Sequence, residues 1–147
     1  MMSEVSPDGP DPLVAARRRG WRLAIAVFNH RDTLRPTDAA SYSGRTATSI
    51  EAARQRGALY ALTLRGQPHE FRYPRWQFDA CPERLATVLD PFVRARSNCY
   101  VVHQFLLTPH RALGGATPAS IIIGTGHELD IVLQLIRQIL DAEQGAG

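Results

Sequence analysis

Apolar residues recur at helical spacing through most of the chain. Leu13, Ala16, Leu23 and Val27, around Arg17-Arg18-Arg19, predict a helix over 13–28. Gly20 weakens that helix, and the run 21–28 also reads as a strand. Pro36 and Thr37 supply helix-start chemistry for 37–42, and Gly44 suits the positive φ of a tight turn. Residues 45–56 then form a second helix that Gly57 ends, with Ala39, Ala40, Ile50 and Ala53 small or branched where the two must cross. Helix, turn, helix is the result. Segment 58–64 is rich in strand-forming types, 65–68 is a turn, and Glu70-Phe71-Arg72-Tyr73 returns with alternating polarity. This predicts a β-hairpin wing, closed by 74–78 with Trp76 and Phe78 packing beneath it.

The second half predicts helices only. Pro82 precedes the stripe Leu85, Val88, Leu89, Phe92 and Val93, which fades near 94–98. A more apolar helix over 99–107 is ended by Pro109. Gly114-Gly115 makes a turn, Thr117 caps and Pro118 starts a short helix through Ile123, and Gly124 stops it. Thr125 to Glu128 has capping-box spacing before the stripe Leu129, Val132, Leu133, Ile136, Ile139 and Leu140. Residues 144–147 read as a short flexible end. Residues 1–12, with three prolines and three acids, read as a disordered tail. The expected fold class is therefore mostly α with a small β-hairpin. A winged helix-turn-helix-like region over 13–78 is followed by a helical, partner-binding region over 79–147.

Composition narrows the function classes. A chain of 147 residues with 44% hydrophobic and 21% charged residues can bury a core of its own. It has no apolar run near the roughly 20 residues that a membrane helix needs, and the acidic, Pro-rich start is unlike a secretory or transit peptide. A cytoplasmic location and no membrane partner are the expectation. Two cysteines, Cys81 and Cys99, give neither a disulfide framework nor a zinc quartet, so no metal is expected. All 17 basic residues are arginine, which fits either coding bias or selection for planar anion binding. Their placement is uneven. Residues 13–78 carry twelve arginines against Asp32, Asp38, Glu51 and Glu70, whereas 1–12 and 79–147 are net acidic. A basic front half joined to an acidic rear predicts that the front alone faces a polyanion.

The start of the second helix of a DNA-binding helix-turn-helix meets base edges, which makes Arg45, Thr46, Thr48 and Ser49 the groove candidates. Arginine forks onto guanine, the threonine methyl meets the thymine methyl, and hydroxyls hold phosphate. Arg54, Arg56, Arg65, Arg72 and Arg75 are candidates for gripping the DNA backbone. The plainer alternative is a small helical scaffold with solvated arginines. His127, Glu128 and Asp130 lie where acids complement a helix dipole. Cys99 and His103, one turn apart, are read as a buried thiol and a satisfied imidazole rather than a nucleophile and its base. Gly124-Thr125-Gly126 lacks the rest of a phosphate loop. No catalytic constellation and no cofactor follow, so an enzyme is not expected.

Four segments carry a family resemblance: Phe71-Arg72-Tyr73-Pro74-Arg75-Trp76-Gln77-Phe78, Phe105-Leu106-Leu107-Thr108-Pro109, Ala112-Leu113-Gly114-Gly115-Ala116-Thr117-Pro118, and Gly124 before the final helix. In this order they resemble the toxin-binding domain of antitoxins of the Xre/MbcA/ParS type, over roughly 60–140. The resemblance implies a type II antitoxin that binds and blocks a RES-type toxin consuming NAD, forms a homodimer and represses its own operon by binding operator DNA. It also implies that the C-terminal helix and tail approach the toxin's active-site entrance, with Arg137, Glu143 and Gln144 as the polar candidates. The region around 37–73 looks more like a winged, MerR- or excisionase-like unit than the larger helical domain of the Xre group. The alternative function is a stand-alone winged-helix transcriptional regulator without a toxin partner.

Overall fold

The computed structural model describes residues 11–126 and 128–146. Its first element, α1 (Pro12–Phe28), is helical throughout, so the strand alternative for its second half does not hold. Asp11 caps it, its carboxylate accepting from Leu13 N–H at 2.9 Å, with Pro12 in the first turn, where no amide is needed. Asp11 and Pro12 thus belong to this helix rather than to the expected tail, whose residues 1–10 lie outside the described residues.

After α1 the chain makes a two-residue strand, β1 (Thr33–Leu34), which the sequence pattern does not announce. The helices α2 (Pro36–Ser43) and α3 (Ala47–Gln55) follow, joined through Gly44 at φ 72°. Ala39, Ile50 and Ala53 are buried, the small side chains allowing the two helices to cross closely. The expected second helix began at residue 45, but Thr46 is its N-cap and Arg45 precedes it. Strand β2 is confined to Leu62–Leu64, and β3 runs over Gln67–Pro74, with Gly66 at φ 87° in the turn between them. The order in the antiparallel sheet is β1-β3-β2, with Leu34 opposite Tyr73 and Leu62 opposite Arg72. The hairpin is thus the larger part of a three-stranded sheet.

A 3₁₀ segment (Arg75–Asp79) leads into α4 (Pro82–Arg94), α5 (Cys99–Leu107), a second 3₁₀ turn (Arg111–Leu113), α6 (Pro118–Ile123) and α7 (Leu129–Ala146). The caps are those their chemistry dictates: Asn98 accepts from Tyr100 N–H, and Thr117 from Ser120 N–H. Helix α7 continues through Ala146, across most of the expected flexible end. Described residues are mostly helical, with one small sheet. A single cluster of buried residues runs from Phe28 and Ile50 through Leu62, Leu85, Leu89 and Leu106 to Ile122, Val132 and Ile136. The two halves of the chain therefore share one core.

Candidate nucleic-acid interface and the surfaces around it

The α2–α3 unit holds the start of α3 at the surface. Thr46 Oγ1 accepts from Ser49 N–H at 3.0 Å, which rigidifies the first turn while Thr46, Thr48 and Ser49 all stay exposed. Ile50, directly after them, is buried and anchors the helix. Arg45 is half-buried, with its guanidinium 5.7 Å from the centre of the Phe78 ring, so the 3₁₀ segment after the sheet sets its direction. Four of the expected groove residues thus share one helix start.

The expected backbone-gripping arginines fall into two groups. Arg56, at the C-cap of α3, and Arg65, at the hairpin tip, are exposed. Arg75 is half-exposed and pairs with Asp32 at 3.1 Å. Arg54 and Arg72 are turned onto the fold. Arg54 lies 3.9 Å over the Phe71 ring and 4.0 Å from Glu51, and its Nε is buried without a hydrogen-bond partner. Arg72 lies 4.5 Å over Phe28 with 12% of its side chain exposed, donates to the Phe71 carbonyl, and stands 3.7 Å from Glu70. These two guanidiniums fasten β3 to α3 and to the end of α1. Their alternation with apolar neighbours in the sequence gives no sign of this stacking.

At the rear, Arg137 is exposed on α7 beside a groove against α4, which Asp90, Arg94, Leu140 and Asp141 also line. Glu143 is exposed nearly two turns further on. Gln144 continues the helix, but its side chain lies outside the described residues, as does His127. Arg137 and Glu143 share α7, which packs on α4, α6 and the second 3₁₀ turn.

Cys99 and His103 lie one turn apart on α5. Burial raises the Cys99 thiol. Burial, with His30 adding repulsion, lowers His103 to about 4, which keeps the imidazole neutral and weakly basic. Its Nδ1 stands 2.7 Å from the Tyr60 hydroxyl, which also accepts from Trp76 Nε1–H at 2.9 Å. Sequence reasoning missed this triad because its members are 16 and 43 residues apart.

Two further residues escaped it. Gln77 is fully buried and clasps the Tyr60 backbone, accepting from its N–H at 3.1 Å and donating to its carbonyl at 2.7 Å. Arg84 donates to the Ile121, Ile122 and Gly126 carbonyls and so closes the end of α6. A glutamine between two aromatics and an arginine early in an amphipathic helix were the signals available. Among the described residues no cluster of three or more His, Cys, Asp or Glu is placed to hold a metal, and no helix is long and apolar enough to cross a membrane. No family model, curated protein or solved structure matches the chain.

Proposed function

We propose that the protein is an antitoxin that binds operator DNA through a winged helix-turn-helix front and a RES-type toxin through its helical rear, as a homodimer in the cytoplasm, acting by occupancy rather than turnover. The observation that carries the reading is the start of α3, where Arg45, Thr46, Thr48 and Ser49 are presented together over a buried Ile50. The element order supports the winged form: two short helices joined by a tight turn are followed by a hairpin whose long strand pairs back to β1 and packs on α2. Exposed Arg56 and Arg65 supply cations for phosphate. A C2 dimer would set two such starts on two half-sites.

The rear of the molecule supports the toxin-binding part more weakly, through the sequence resemblance and through packing. The segments that carry the resemblance adjoin in space, with α6 packed on the 3₁₀ segment and on α5, and α7 on α6 and the second 3₁₀ turn. Helix α7 offers Arg137 and Glu143 with partly exposed apolar neighbours, the composition of a protein-binding rim.

Co-expression with the product of the adjacent gene tests the proposal, scored by growth and cellular NAD, together with a gel-shift on the duplex upstream of the chain's own gene. The expected result is a toxic neighbour silenced by this chain and a retarded operator band. A retarded band with a harmless neighbour makes the protein a stand-alone regulator. A silenced toxin with no band at any duplex removes the DNA half.

A further inference from the structure

Between α1, β1, the first 3₁₀ segment and α5 lies an open-mouthed cavity of about 410 Å³, within the size range of small-molecule sites. Leu23, Ala26 and Val27 of α1, Trp76 and Leu107 give it an apolar wall, and His103 borders it. Proton counting fixes what His103 offers. Tyr60 is buried, its hydroxyl accepts from Trp76 Nε1–H, and His103 Nδ1 is the one acceptor within reach of its hydrogen among the described residues, so leaving that hydrogen unbonded is the costlier alternative and it is assigned to Nδ1. Burial keeps Tyr60 protonated and His103 uncharged. The imidazole proton therefore sits on Nε2, for which no hydrogen bond is formed among the described residues. At the rim, Arg75 is neutralised by Asp32 at 3.1 Å, and Asp79 accepts from the Tyr42 hydroxyl at 2.8 Å.

We infer that this cavity is a binding site for an uncharged aromatic small molecule carrying one hydrogen-bond acceptor, such as a ketone or ether oxygen, which His103 Nε2–H would engage against the Trp76 and Leu23 wall. A carboxylate is disfavoured, because the one cation at the rim already holds Asp32 and the wall cannot solvate a second anion. The inference stands on the cavity and its proton inventory and does not depend on DNA or toxin binding.

The test uses the full chain, labelled with ¹⁵N-histidine, and two probes of nearly the same shape: acetophenone, which has the acceptor, and α-methylstyrene, which lacks it. The expected result is saturable one-to-one binding of acetophenone that shifts the His103 Nε2 resonance, with affinity roughly three- to tenfold above that of α-methylstyrene, the worth of one hydrogen bond. His103→Phe should bring the two probes to parity. Ala26→Trp, which fills the cavity from the exposed side of α1, should abolish binding of both while the circular dichroism spectrum is retained. Equal affinities in the parent chain, binding that survives Ala26→Trp, or no saturation within the solubility of acetophenone would overturn the inference. So would a dimer, broken by Leu23→Arg, that excludes acetophenone, because the cavity would then be a seat for protein.

Discussion

Gln77 shows how much of this fold rests on single polar side chains. Its amide satisfies both the N–H and the carbonyl of Tyr60 in a site closed to water. Gln77→Leu keeps the volume but strands both backbone groups, and should cost about 2–4 kcal/mol, measured by urea denaturation. His103 adds a pH dependence. Its folded pKa of about 4 lies below the ordinary histidine value of about 6.5, so the unfolded chain binds the extra proton first. The groups around it are His30, Tyr60, Cys99 and the Asp32–Arg75 pair, of which His30 reinforces the shift. Its contribution is therefore complete above pH 6.5 and declines as pH falls toward 4, by about 2 kcal/mol in all. Denaturation midpoints across that window should fall in the parent chain and flatten in His103→Phe.

Two helix ends of the same design differ in one residue. After α3, Gly57 takes φ 80° while its N–H reaches Arg54 O and the next N–H reaches Ala53 O. After α4, Arg96 takes the equivalent place at φ 54°, with its N–H on Val93 O and Ser97 N–H on Phe92 O. Both are Schellman ends, and only the first has the residue suited to left-handed backbone. Arg96→Gly should therefore raise stability by about 0.5–1 kcal/mol, while Gly57→Ala should lower it by about 1–2 kcal/mol, since a Cβ there would also stand 3.1 Å from Val93. Thermal melts of the two variants should move in opposite directions.

The same contrast explains what could be read in advance. Gly57, Gly44, Thr117-Pro118 and the apolar stripe of α4 are local signals, and the elements they mark formed as expected. β1 carries only Thr33 and Leu34, too short for any period, and exists because β3 lies beside it. Much of the expected strand over 58–64 is not strand, because Tyr60 is held by Gln77 instead of by a neighbouring strand. Of the proposed interface, the presence of α3 was legible from Gly44 and Gly57, but its start was expected at residue 45, one residue before the Thr46 cap. The stacking of Arg54 and Arg72 on Phe71 and Phe28 was not legible, because it depends on which face of β3 meets which helix.

At the scale of the whole molecule, charge and packing divide the chain differently. Arginine is concentrated before residue 79, yet the buried cluster continues across that point to Ile136. A cut at 78/79 should leave both pieces without a complete core, and neither should give a cooperative melt. The proposed functions are thus two faces of one body, and what occupies α7 is free to alter the stability of the sheet that α3 leans on.

The claim on which the account turns is that the start of α3 reads duplex DNA. Fluorescence anisotropy with the duplex upstream of the chain's own gene, titrated over a range of salt, measures it most directly. With about four arginines per chain on phosphates, the log–log salt slope should be near −3.6 per chain. Arg45→Ala with Thr48→Ala should erase the preference for that duplex over a scrambled one while leaving the fold intact. A salt-independent signal, or a double variant that keeps the full preference, would contradict it.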